Sequence, residues 1–179
     1  LKNIYITGVT THTQGISTLG AHQININSSQ DGFLIKLDSN CNKTWGTYFG
    51  GNLNDDPYYC CTDLYNNIFI VGSTSSSNNI AFNQPYQSYY GATMGFFNKF
   101  SANGNYIYGS YYGGLSPYPI YNCHINTLNN LIFTGSQICL ITPNGWQNQY
   151  YANPGILARF ADCPGFTLTV SNNQTLCLG

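Results

Sequence analysis

The hydrophobic positions of this chain fall in short runs, and turn-forming residues follow each run after a handful of positions. IFIVGST at residues 68–74 is rich in β-branched and aromatic side chains, and MGFFNKF at residues 94–100 alternates around Lys99. SANG at residues 101–104 predicts a turn in which Gly104 takes a positive φ. Apolar residues do not recur with the 3.6-residue period of a helix. The pattern therefore predicts an all-β protein with few helices.

The strand-like segments return at a nearly constant spacing. NIYITGVT at residues 3–10 returns as NIFIVGST at residues 67–74 and as NLIFTGSQ at residues 130–137, with offsets of 64 and 63. A second series consists of GFLIKL, GFFNKF and GILARF, each preceded by a glutamine at a similar distance: Gln23, Gln87 and Gln147. Such self-similarity is typical of repeat architectures. Four short antiparallel strands in each unit of about 63 residues fit one blade of a β-propeller.

The repeat predicts how many blades the chain contains. Residues 3–50 supply three strands, residues 57–112 a complete blade, and residues 119–161 three further strands. Because propellers usually have four to eight blades, about three blades cannot close a ring. The chain opens directly with a strand-like segment and shows no signal-peptide pattern. We therefore expect either a segment of a longer protein with a larger propeller, or an open sector.

The order of these motifs resembles the SBBP repeat, a β-propeller repeat of large secreted bacterial proteins. The typical unit has a GNVYVTG-like strand, a DAFVAK-like strand, an Asn-Gly turn and a WSTYGG-like strand. The matching segments here are residues 67–72, 31–36, 103–104 and 45–51. The resemblance covers roughly residues 3–161 and weakens in the later units, where Met94 and Pro154 stand in the place of Asp31.

The resemblance implies a domain organisation and a location. Residues 1–165 would form SBBP-like blades. Residues 166–179 would be either the last strand of the final blade or the start of an Ig-like or PKD-like module, of the kind that follows such repeats in bacterial surface proteins. A secreted or cell-surface location is expected, with other domains of the same parent chain as neighbours.

Charge is scarce, and this excludes some classes of partner. Only 6% of residues are charged and the formal net charge is −1. Binding to nucleic acid or to anionic membranes needs clustered Lys and Arg, which five basic residues cannot supply. No stretch reaches the roughly 18 apolar residues that span a bilayer. We therefore expect no nucleic-acid partner and no membrane insertion.

The seven cysteines favour an oxidising compartment, although buried free thiols are the alternative. No CxxC pair and no Cys/His cluster has the spacing of a zinc site. Cys60 and Cys123 lie one repeat apart, on predicted innermost strands of neighbouring blades. A disulfide between them is a candidate, and two buried thiols in separate layers between blades are the other interpretation.

Catalytic and metal chemistry are weakly represented in the sequence. Asp55 and Asp56 are weak calcium candidates, because two adjacent carboxylates could ligate the ion together with backbone carbonyls, and a solvated loop is the favoured interpretation. His12, His22 and His124 stand alone, without a nucleophile at a suggestive spacing. No Gly-rich phosphate loop precedes a helix, so no cofactor is predicted.

Tyrosine is the abundant side chain with binding potential, because it joins a flat apolar face to a hydroxyl group. Paired tyrosines at loops and strand ends are the binding candidates: Tyr58, Tyr59, Tyr89, Tyr90, Tyr150 and Tyr151. The alternative is that they only cover strand surfaces. We expect a non-enzymatic scaffold or binding module for glycans or surface proteins. Alternatives are a propeller-type lyase or hydrolase, or its accessory domain, and a spacer without ligand.

Overall fold

The computed structural model describes residues 3–113, 119–136, 155–161, 167–170 and 174–177. The described residues form twelve β-strands, which confirms the all-β class. The strands are β1 (Ile4–Thr10), β2 (Asp31–Leu37), β3 (Lys43–Phe49), β4 (Asp55–Thr62), β5 (Ile68–Thr74), β6 (Met94–Phe100), β7 (Tyr106–Tyr112), β8 (Ile120–Ile125), β9 (Leu131–Ser136), β10 (Gly155–Ala161), β11 (Thr167–Val170) and β12 (Gln174–Cys177). Within these described ranges, no helix is long and apolar enough to cross a bilayer.

The strands form three antiparallel sheets, and the strand order within each sheet follows the chain. The first sheet is β1-β2-β3, the second is β4-β5-β6-β7, and the third runs from β8 through β12. This agrees with the predicted three strands in residues 3–50 and four in residues 57–112. In the third sheet β11 pairs with β10, in the place of a fourth strand. The sheets of the described residues do not show closure into a ring.

Four hairpins turn through one five-residue pattern. The first side chain of the pattern accepts hydrogen bonds from the backbone N–H groups two and four residues later. The fourth residue takes a positive φ, between 61° and 85°. The four turns are DSNCN at 38–42, DLYNN at 63–67, SANGN at 101–105 and NTLNN at 126–130. Asx and Ser/Thr turns of this kind explain why Asp, Asn and Ser stand at the first position.

The three sheets stack face to face, with one apolar layer in each gap. The first core layer lies between the first and second sheets and comprises Leu34, Phe49, Ile68, Ile70, Ile80, Met94, Phe96, Phe100 and Tyr111. The second core layer lies between the second and third sheets and comprises Phe69, Val71, Phe97, Tyr108, Tyr112, Ile120, Cys123, Leu131, Phe133, Ala158 and Phe160. The first strand of each sheet lies beside that of the next, so β4 contacts both β1 and β8.

Two long loops run back along the outer strand of their own sheet. In the loop at residues 11–30, the Gln23 carbonyl accepts from the Tyr48 N–H at 3.1 Å on β3. In the loop at residues 75–93, the Gln87 carbonyl accepts from the Tyr111 N–H at 3.3 Å on β7. Gln23 and Gln87 are therefore equivalent in space as well as in sequence. The loops satisfy backbone groups that an exposed sheet edge would leave free.

Candidate functional site

A cleft of about 320 Å³ opens where the loop of the first unit meets the loop of the second unit. Its walls come from residues 11–30 on one side and residues 75–93 on the other, and Tyr106 at the start of β7 forms its floor. Seven residues line it: His22, Gln23, Asn27, Asn79, Ala81, Phe82 and Tyr106. Clefts lined by aromatic rings and a few polar groups are the usual form of a ligand site.

The apolar part of the cleft consists of three rings in contact. Phe82 stacks on Tyr106 with ring centroids 5.2 Å apart, and 49% of Phe82 remains exposed. His22 lies against Tyr106 at 4.6 Å. The Tyr106 hydroxyl donates to the Ile80 carbonyl at 2.6 Å, and burial raises the pKa of this phenol well above its ordinary value. Tyr106 is thus a fixed floor, and Phe82 presents an open ring to solvent.

The polar part of the cleft is organised by Asp31, which lies behind the wall at the start of β2. Its carboxylate accepts from Gln23 Nε2 at 2.9 Å, from the Asn27 N–H at 2.7 Å and from the Ser28 hydroxyl at 2.7 Å. The Asn27 side chain also donates to the Gly50 carbonyl at 3.1 Å. Asp31 is fully buried, and its carboxylate already accepts hydrogen bonds from these donors. It therefore positions Gln23 and Asn27 and does not itself contact a ligand in the cleft.

The cleft carries no formal charge near neutral pH. Three of its lining side chains are neutral amides, and none of the seven is a carboxylate, lysine or arginine. Burial lowers the pKa of the His22 imidazole below its ordinary value of 6.5, so the ring is neutral at pH 7. An uncharged site with amide donors and acceptors suits a neutral, hydroxyl-bearing ligand better than an anion.

The tyrosines singled out in the sequence lie elsewhere. Tyr58, Tyr59 and Tyr90 are exposed, at 46%, 44% and 62%, whereas Tyr89 packs on Tyr111 with ring centroids 5.5 Å apart. None of these four lines the cleft. The predictions for residues 150 and 151 lie outside the described residues.

Tyr58 has a counterpart in the next repeat, which the paired-tyrosine pattern does not indicate. Tyr58 lies at a register shift between β4 and β5, and Tyr121 lies at the equivalent shift between β8 and β9. Their rings are 5.9 Å apart, and both are exposed. A β-bulge adds one residue to a strand and thereby changes the direction in which that side chain points. The pair forms a small aromatic surface on the first strands of the second and third sheets.

Asp55 and Asp56 do not share one site, because adjacent residues of a strand point to opposite faces. Asp55 is fully buried. It accepts from the Gly51 N–H and the Ser76 hydroxyl, each at 2.8 Å, and from the Thr74 hydroxyl. Asp56 accepts from Gln30 Nε2 at 2.6 Å. Across the described ranges, no group of three or more His, Cys, Asp or Glu residues could hold a metal ion.

Cys60 and Cys123 lie in different core layers, and the sulfur that touches Cys123 is that of Cys61. Cys60 packs against the first core layer, whereas Cys123 belongs to the second. Equivalent residues of stacked sheets point the same way, so two cysteines one repeat apart cannot face each other across one gap. This geometry agrees with the interpretation of two thiols in separate layers and does not bring Cys60 to Cys123. Cys61, on the other face of β4, is 2.9 Å from Cys123.

The cleft itself was not found from the sequence. Among its lining residues, the sequence pattern indicates only His22, as an isolated histidine, and Gln23, as one of the repeated glutamines. His12 and His124 lie exposed elsewhere. Phe82 and His22 are 60 positions apart, in loops without periodicity. The repeated glutamines Gln23 and Gln87 were the available signal, because they mark where each loop docks on its sheet.

Comparison with known proteins adds no family assignment. No protein-family model matches this sequence, and no curated protein matches it either. The resemblance to SBBP repeats therefore stays a prediction.

Proposed function

We propose that this chain is part of a secreted or cell-surface β-propeller built from SBBP-like repeats, and that it is a non-enzymatic module binding neutral carbohydrate. The propeller assignment is supported by the period of about 63 residues and by three successive antiparallel sheets stacked through two apolar layers. It is also supported by the first strands, β1, β4 and β8, which lie side by side as inner strands of blades would.

The single observation that carries the binding function is the neutral cleft with an open aromatic ring. Phe82 offers a flat face to the C–H side of a sugar ring, in the way that aromatic side chains bind amphipathic partners. Asn79 is exposed at the rim, and Gln23 and Asn27 are held by Asp31. Both N–H groups of the Gln23 amide donate within the protein, to Asn25 and Asp31, so Gln23 presents its carbonyl oxygen as an acceptor. The exposed Asn79 amide can both donate and accept, which matches the hydroxyl groups of a sugar.

The enzymatic alternative has less support from the same residues. Hydrolysis of a glycosidic bond commonly needs two carboxyl groups flanking the bond. The carboxylate nearest the cleft wall, Asp31, already accepts three hydrogen bonds from the protein. We therefore favour binding without turnover.

The test is calorimetric titration of the purified chain with neutral hexasaccharides of glucose, xylose and mannose. We expect binding to at least one of them, and we expect Phe82→Ala to weaken it about tenfold through loss of the stacking face. Tyr90→Ala is the matched control, since Tyr90 is exposed on the same loop and does not line the cleft.

Three results would overturn the proposal. If none of the hexasaccharides binds at millimolar concentration, the cleft is not a carbohydrate site. If chromatography after incubation shows cleaved products, the chain is an enzyme. Equal weakening by Phe82→Ala and Tyr90→Ala would place the binding site outside the cleft.

A further inference from the structure

Two cysteine sulfurs from different sheets touch in the second core layer. The Cys123 thiol on β8 donates to Cys61 Sγ on β4 across 2.9 Å. Cys123 is buried at 3% exposure, and Cys61 is half-buried at the margin of the same layer. Both are free thiols. Because thiols are weak hydrogen-bonding groups, so close an approach contributes little to stability in the reduced state.

We propose that Cys61 and Cys123 form a redox-active pair, which a low-molecular-weight disulfide oxidises to a bond between the second and third sheets. The two residues are 62 positions apart in sequence. The bond would therefore close a long loop, which is the case in which a cross-link restricts the unfolded chain most. It would join β4 to β8 directly, at the place where two successive repeats meet.

The order of the chemical steps follows from access. Cys61 is the more accessible of the two, so its thiolate attacks one sulfur of the oxidant RSSR, forms a mixed disulfide and releases one RS⁻. Cys123 then attacks Cys61 Sγ, and the second RS⁻ leaves. The two protons of the cysteines end on two RSH molecules, and the two electrons that the pair loses reduce the oxidant.

The titration of Cys123 agrees with its acting second. The hydrogen bond to Cys61, followed by burial, raises the pKa of the Cys123 thiol far above its ordinary value. Cys123 therefore keeps its proton while the first step takes place at Cys61. Burial keeps Cys123 from reacting directly with a reagent in solution. Cys61 Sγ, by contrast, already lies 2.9 Å from Cys123 Sγ.

Cys60 provides a matched control because it neighbours Cys61 along the chain and faces the first core layer instead. Burial raises the pKa of the Cys60 thiol to about 11. The structure gives it no contact with Cys123 of the kind that Cys61 makes. Replacing Cys60 should leave the proposed bond intact, whereas replacing Cys61 should remove it.

The experiment uses the full chain, reduced, desalted and then incubated with oxidised glutathione. We expect peptide mapping without reductant to show one cross-link between the peptides that carry residues 61 and 123. We also expect the melting temperature to rise by about 10 °C and to fall back after dithiothreitol. Cys60→Ser should behave like the wild type, and Cys61→Ser and Cys123→Ser should lose both effects.

The opposite pattern would overturn the proposal. If Cys61→Ser keeps the cross-link and Cys60→Ser loses it, the bond involves Cys60. If oxidised wild type still alkylates at both Cys61 and Cys123 with iodoacetamide, the pair does not close. The alkylation assay needs only wild-type protein, so it decides the question even if a serine variant fails to fold.

Discussion

Cys41 is a residue in an unfavourable backbone conformation, since its φ is 64° at the fourth position of the turn at residues 38–42. The equivalent position of the turn at residues 101–105 holds Gly104, with φ of 85°. A left-handed conformation costs a residue with a Cβ about 1–2 kcal/mol of folding free energy. Glycine avoids this cost but lowers the free energy of unfolding by about 0.4–1 kcal/mol, because its unfolded chain has more conformational freedom. The balance favours glycine at this exposed turn.

We predict that Cys41→Gly raises the free energy of unfolding by about 0.5 kcal/mol, as measured by urea denaturation under reducing conditions. Cys41→Ala is the control, because it removes the thiol and keeps the conformational cost. A gain of the same size in Cys41→Ala would attribute the effect to the thiol rather than to φ. Loss of stability in Cys41→Gly would contradict the explanation.

At the scale of whole elements, Asp55 joins three segments, because its carboxyl binds the β3–β4 connection at Gly51, the end of β5 at Thr74 and the following loop at Ser76. Burial raises the pKa of Asp55 from 3.8 to about 6. Because folding raises this pKa, the folded state holds the proton more tightly than the unfolded state. The contribution of the protonated carboxyl to the free energy of unfolding is therefore complete below about pH 4. That contribution is lost as the pH rises through 6.

We predict that the free energy of unfolding falls with rising pH between pH 4 and pH 7, by about 3 kcal/mol from Asp55 alone, as two pKa units imply. Urea denaturation across this range measures it. Asp55→Asn should flatten the dependence, whereas Asp56→Asn leaves Asp55 in place and should retain it. A wild-type curve parallel to that of Asp55→Asn would show that the carboxyl is not the cause.

Strands and turns could be predicted from the sequence, but the cleft and the cysteine contact could not. The strand β6 follows from alternation in MGFFNKF, and the turns follow from Asp, Asn or Ser at their first position. These signals are local. Phe82 meets Tyr106 only because its loop runs back along β7. Likewise, the contact of Cys61 with Cys123 depends on which face of β4 meets the third sheet.

At the scale of the whole molecule, the sheet stack has an open face on the first sheet. Ile68 and Ile70 on the second sheet are fully buried in the first core layer, yet their repeat equivalents, Ile4 and Ile6, are 39% and 42% exposed. Phe96 and its equivalent Phe33 show the same contrast, because Phe96 is fully buried and Phe33 is half-buried over Gly8. Side chains with the same place in the repeat therefore have different neighbours.

This contrast makes Phe96 and Phe33 a matched pair. Phe96→Ala should lower the free energy of unfolding by about 3–5 kcal/mol, the usual cost of a cavity in a packed core. Phe33→Ala should cost about half as much or less, since its ring covers one face of a sheet without a second sheet above it. Urea denaturation of both variants at micromolar concentration measures the difference. Equal losses would contradict the prediction, because they would mean that the open face is covered in solution. A dependence of the Phe33→Ala loss on protein concentration would then identify a second copy of the chain as the cover, packed there as the second sheet packs on the first.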